Sequence, residues 1–121
     1  MPHTVLVVDD DRDIRDSLVD LLEDLGYAAL SASNGLDALE ILRTRRELPS
    51  MILLDLMMPG LDGHGFCAAQ RAELAWAAIP VVVLSAYADA DAQASALGVE
   101  CLRKPLTARA LVEAVRRYCP G

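Results

Sequence analysis

Five short apolar runs, each followed by a segment of helical spacing, constrain this chain more than any other feature of its sequence. Thr4–Val8 is an unbroken run with β-branched residues and reads as a buried strand. Asp11–Leu25 then places Ile14, Leu18, Leu21, Leu22 and Leu25 at helical intervals, with Gly26 where a helix ends. Tyr27–Ala32 reads as a second strand. Ser33 or Asn34 caps a helix to about Arg46, with Leu36, Leu39, Ile41 and Leu42 as its apolar positions. Pro49 breaks the chain before the strand Met51–Leu54, and a Pro- and Gly-rich loop from Asp55 leads to a helix from about His64 to Leu74. Pro80 opens the strand Val81–Leu84, and an alanine-rich helix over Ala88–Leu97 is bounded by Gly98. Val99–Leu102 is a short strand stopped by Pro105. Thr107 caps a last helix through Tyr118, with Leu111, Val112 and Val115 facing inward. Strands of this kind alternating with helices imply an α/β fold, a parallel sheet covered on both faces. Right-handed crossovers restrict its topology. Ligands in such sheets bind beyond the carboxyl ends of the strands, where the strand order reverses.

The residues at those ends are chemically pointed. Asp9 and Asp10 follow the first strand, Asp55 ends the third, Ser85 ends the fourth, and Lys104 lies just past the fifth. Each alone has an ordinary role: helix cap, turn residue, loop cation. Their joint appearance at four strand ends suggests a single pocket. Crowded carboxylates repel, and a hard divalent cation relieves the repulsion. Magnesium takes one or two carboxylates, keeps waters, and accepts phosphate oxygens. A carboxylate is also a nucleophile toward phosphorus. Phosphoryl transfer needs mainly positioning and charge neutralisation, which the cation, Lys104 and the Ser85 hydroxyl would supply.

Composition narrows the field. The 121 residues suffice for one domain, and a 54% hydrophobic content excludes a disordered chain. No apolar run approaches the ~18–20 residues that cross a bilayer, and the N-terminus has no charged region or cleavage site, so a cytoplasmic protein is expected. A net charge of −7 argues against direct nucleic-acid binding. Cys67, Cys101 and Cys119 lack metal-ligand or redox spacing and read as reduced thiols packed as small hydrophobes. Ten arginines accompany a single lysine, Lys104, which suggests a special task for it.

The sequences Val-Leu-Val-Val-Asp9-Asp10, Leu-Leu-Asp55-Leu-Met-Met-Pro59-Gly-Leu-Asp-Gly63, Val-Val-Leu-Ser85-Ala86 and Lys104-Pro105 together resemble the receiver domain of bacterial two-component response regulators. The resemblance covers essentially the whole chain, as a single receiver domain over residues 1–121. It implies a flavodoxin-like (βα)5 three-layer sandwich with strand order 2-1-3-4-5. It makes Asp55 the phosphoacceptor. Magnesium is bound by Asp10 directly, by Asp9 chiefly through water, by Asp55, and by the Met57 backbone carbonyl. Ser85 and Lys104 contact phosphoryl oxygens, and the Lys104–Pro105 bond is cis. The implied donor is a phosphohistidine on a histidine kinase or histidine phosphotransfer protein. The implied readout is a remodelled face of the fourth helix, fifth strand and fifth helix, meeting a downstream protein target or a second copy in a homodimer. Such a domain catalyses only its own phosphorylation and dephosphorylation.

The chain departs from the family pattern at Cys101, where an aromatic residue usually swings behind the active hydroxyl. Weak or rerouted coupling is therefore expected there, with Tyr87 and Tyr118 as substitutes. Met57 and Tyr87 are bulky and carry no carboxylate or amide to orient water, so slow self-dephosphorylation is expected. His3 and His64 are expected to be solvated and Trp76 to be a packed surface aromatic. Three other function classes compete. A magnesium-dependent phosphatase would need a second acid where Met57 stands. A flavin or nucleotide module would need a Gly-rich loop after the first strand. A receiver-like adaptor would work without phosphorylation.

Overall fold

The computed structural model describes residues 3–45, 47–55, 63–85, 100–103 and 107–119. Strands β1 (Thr4–Val8), β2 (Ala28–Ala32), β3 (Met51–Asp55), β4 (Val81–Ser85) and β5 (Glu100–Arg103) form one sheet. All its pairings are parallel, in the order β2-β1-β3-β4-β5. The described helices are α1 (Arg12–Asp24), α2 (Gly35–Thr44), α3 (Gly63–Ala72) and α4 (Ala108–Tyr118). The helix expected over Ala88–Leu97 lies outside the described residues.

Alternating side chains of each strand feed two separate cores. Leu6, Val8, Ile52 and Leu54 pack with Ala38, Leu39, Leu42, Phe66 and Cys67 of α2 and α3. Val5, Val7, Met51, Leu53, Val82 and Leu84 pack on the other face with Leu18 and Leu22 of α1 and Leu111, Val115 and Cys119 at α4. Both faces of β1 and β3 are therefore dry, which explains their unbroken apolar runs. The edge strand β2 is partly exposed and accordingly carries Ala and Ser.

Local chemistry sets the helix ends. The Asp11 carboxylate accepts the amides of Asp13 at 2.9 Å and Ile14 at 3.2 Å, starting α1. At its other end, Gly26 adopts φ 93°. The Gly26 amide donates to the Glu23 carbonyl and the Tyr27 amide to the Leu22 carbonyl, both at 3.0 Å. This closure absorbs the last free carbonyls. Asn34, not Ser33, caps α2, accepting the Asp37 amide at 2.8 Å, while the Ser33 hydroxyl donates to the Asp37 carboxylate at 2.6 Å. Thr107 caps α4 as expected, accepting the Ala110 amide at 3.1 Å.

Several expectations need correction. Leu36 is 61% exposed, because the inner stripe of α2 runs through Gly35, Ala38, Leu39 and Leu42. Ala114 rather than Val112 completes the inner face of α4, the 3.6-residue repeat passing through Leu111, Ala114 and Val115. His3 is half-buried, its Nδ1 lying 3.1 Å from the Ser50 hydroxyl, because the segment entering β3 runs alongside the start of β1. The β3 and β4 ladders each extend one residue further than expected, taking in Asp55 and Ser85. Helix α3 stops at Ala72, beyond which buried Gln70 donates its side-chain amide to the carbonyls of Trp76 and Ile79. Trp76 packs partly buried against the α2/α3 core, as expected.

Candidate functional site

The chain runs from β1 outward to β2, returns to β3, and proceeds in the other direction to β4 and β5. Strand order thus reverses between β1 and β3, and their carboxyl ends flank the crevice where such sheets bind ligands. Asp9 leaves β1 there and Asp55 ends β3. The pairing of Val8 with Leu54 makes these two acids successive neighbours across the switch point. They also share the strand phase of Val5, Val7, Met51 and Leu53, so both project toward the same side of the sheet.

Side-chain geometry completes this placement. Carboxylate oxygens of Asp9, Asp10 and Asp55 all lie within 4.8 Å of one another. Asp9 is fully buried, Asp55 is 7% exposed, and Asp10 is open to solvent. Two unit charges at such a spacing repel by about 3–4 kcal/mol at an effective dielectric of ~20. An all-oxygen donor set with one open side suits a hard cation that retains water, and magnesium fits that description.

The acidic turn is tied down by its own backbone. The Asp9 amide donates to the Ala32 carbonyl at 3.2 Å. Its Oδ1 accepts the Asp11 amide at 2.9 Å, and its carbonyl accepts Arg15 Nη1 at 2.8 Å. Arg15 was not among the residues expected at the site; its only signal in the sequence is a cation six residues after Asp9, in the second turn of an expected helix.

Of the other expected site residues, Ser85 ends β4, where its backbone registers with Arg103. Asp55 registers with Leu84 in the same ladder. Met57 and Lys104 lie outside the described residues, as do Tyr87 and the Lys104–Pro105 bond. Cys101 is half-buried in β5 opposite Val83, its thiol 3.8 Å from the Leu102 carbonyl.

A doubly wound parallel sheet with an acidic cluster at its switch point defines a class of α/β domains able to hold a divalent cation. Comparison with known proteins makes the assignment specific. The sequence model of the response regulator receiver domain matches residues 5–116, and the chain belongs to that family. The protein called "Probable transcriptional regulator ycf27" of Porphyridium aerugineum is 36% identical over 115 residues, 93% of this chain and 46% of that protein. "Uncharacterized 14.6 kDa protein in sodA1 3'region" of Leptolyngbya boryana is 36% identical over 118 residues, 95% of this chain and 88% of that one. The structure of Vibrio cholerae chemotaxis protein CheY4 superposes with a TM-score of 0.87 at 27% identity, covering 98% of this chain and 99% of that chain. The chain spans about a third to a half of the length of several curated relatives it matches, 46% and 33% in two of them. Among the described residues no helix is long and apolar enough to cross a membrane.

Proposed function

We propose that this chain is a single receiver domain over residues 1–121 that accepts a phosphoryl group on Asp55 and changes its protein contacts in response. The observation that carries the reading is the convergence of Asp9, Asp10 and Asp55 at the switch point. Asp55 stands at a strand end, held by the ladder and shielded from bulk water. Rigid placement and exclusion of water are what a carboxylate nucleophile needs for phosphoryl transfer.

The donor is a phosphohistidine on a histidine kinase or phosphotransfer protein. An Asp55 oxygen forms a bond to phosphorus as the phosphorus–nitrogen bond breaks, and the electron pair leaves with the imidazole. Asp9, Asp10, Asp55 and the Met57 carbonyl would hold Mg2+, which when bound supplies positive charge to the phosphoryl oxygens. Lys104 neutralises another phosphoryl oxygen, and the Ser85 hydroxyl donates a hydrogen bond to a third. The signal passes from Ser85 toward β5 and α4 and reaches a downstream protein in the cytoplasm, with Cys101 at the position where the family usually carries an aromatic residue.

Calorimetric titration with MgCl2, then with beryllofluoride as a phosphoryl mimic, tests the reading. The unaltered chain should take up both, and Asp55→Asn should lose the beryllofluoride heat. Retention of that heat by the variant contradicts Asp55 as the acceptor.

A further inference from the structure

Arg15 has no part in the phosphoryl chemistry, yet this arginine closes the acidic turn from two directions. Its backbone amide donates to the Asp11 carbonyl at 2.9 Å, the bond that begins α1. Its guanidinium reaches back past the cap and donates to the Asp9 carbonyl at 2.8 Å. The Asp9 carbonyl lies one residue beyond the last residue of β1, outside the strand itself. Asp9 is thus gripped through its amide by Ala32, through its carboxylate by the Asp11 amide, and through its carbonyl by Arg15. Asp11 is held in turn as the cap of α1. Asp10 lies between these two fixed residues, so its position in the cluster follows from theirs.

We propose that Arg15 is a positioning residue that assembles the acidic turn before a divalent cation arrives. This inference rests on the phosphoacceptor reading, since it concerns the same pocket. Arg15 is half-buried, and its guanidinium bonds a backbone carbonyl, so it acts on ligand geometry without occupying a ligand position. Two effects on cation affinity oppose each other. The nearby positive charge repels Mg2+, whereas the clamp spares the turn an ordering cost on binding. A clamp that prevails makes removal of Arg15 weaken binding; a charge that prevails makes removal strengthen it. Partners that orient metal ligands typically alter affinity by about 10–100-fold. The expectation here is near the lower figure, because Asp9 remains anchored through its amide and its carboxylate.

Calorimetry with MgCl2 on the unaltered chain, Arg15→Ala and Arg15→Lys decides between them, together with amide hydrogen exchange in EDTA. Arg15→Ala should bind Mg2+ about tenfold more weakly. In the metal-free variant the Asp11 amide should exchange faster, while amides in the centre of β3 keep their protection. Arg15→Lys keeps the charge and a donor, and should recover part of the affinity; it also serves if the alanine variant does not fold. Equal or tighter Mg2+ binding by Arg15→Ala, or unchanged Asp11 exchange, overturns the clamp. Failure of the unaltered chain to bind Mg2+ overturns the clamp together with the phosphoacceptor reading. Binding that is normal in both chains overturns the clamp alone.

Discussion

Asp9 and Asp55 are costly residues to bury, and their cost is the key to their use. A carboxylate withdrawn from water must find donors or a cation. The Asp9 carboxylate receives the Asp11 amide, so part of the demand is met within one turn. The remaining negative charge of the three-acid cluster is what a divalent cation would neutralise. The cysteines illustrate the opposite case, groups whose burial favours the neutral form. Burial pushes the Cys67 thiol above its ordinary value of 9.0, with Arg71 pulling back in part, and burial alone raises Cys119. A thiol with a raised folded-state pKa supports stability that is fully present below about pH 9. That support is lost as pH rises through the folded value, because the unfolded chain then releases its proton first. The urea midpoint should therefore fall as pH climbs past 9, and the double variant Cys67→Ala/Cys119→Ala should show a shallower fall. An identical slope in the two chains would assign the alkaline loss to other groups.

The elements themselves were largely written in the sequence, for a physical reason. Parallel strands buried on both faces show as continuous apolar runs, so β1, β3 and β4 were readable almost to the residue. The caps at Asn34 and Thr107 were readable too, since each acts on an amide three residues away. What escaped was whatever depends on distant segments or on a small difference of helical phase. Leu36 falls just off the buried stripe of α2 and ends up exposed. His3 meets Ser50, 47 residues away, only once β1 and β3 lie side by side. Arg15 reaches Asp9 only because its guanidinium extends back past the cap of α1. Gly26 was expected to end a helix, and its φ of 93° shows why glycine serves there. A Cβ at that position would meet nothing within 4 Å, so the penalty is one of backbone alone. Gly26→Ala should therefore cost about 1–2 kcal/mol in denaturant unfolding, with no change in Mg2+ affinity. A neutral substitution would show that the turn relaxes to another closure.

At the scale of the molecule, the two cores hold a rigid sheet whose carboxyl edge presents the acids. Each core draws on β1, β3 and β4 together with different helices, so the sheet is clamped between layers. The site could be located from sequence because strand ends in such a sheet converge, whatever their separation along the chain. Asp9 and Asp55 are 46 positions apart and become neighbours through one ladder. The roles of Ser85, Lys104 and Met57 rest on resemblance. The acidic trio rests on geometry as well. The central claim, that Asp55 is the acceptor within this trio, is most directly tested by intact-mass and peptide mass spectrometry after incubation with acetyl phosphate. The account predicts one added phosphoryl group in Mg2+, located at Asp55, absent in EDTA and absent in Asp55→Asn. A phosphoryl group that forms without Mg2+, or that persists in Asp55→Asn, would contradict it.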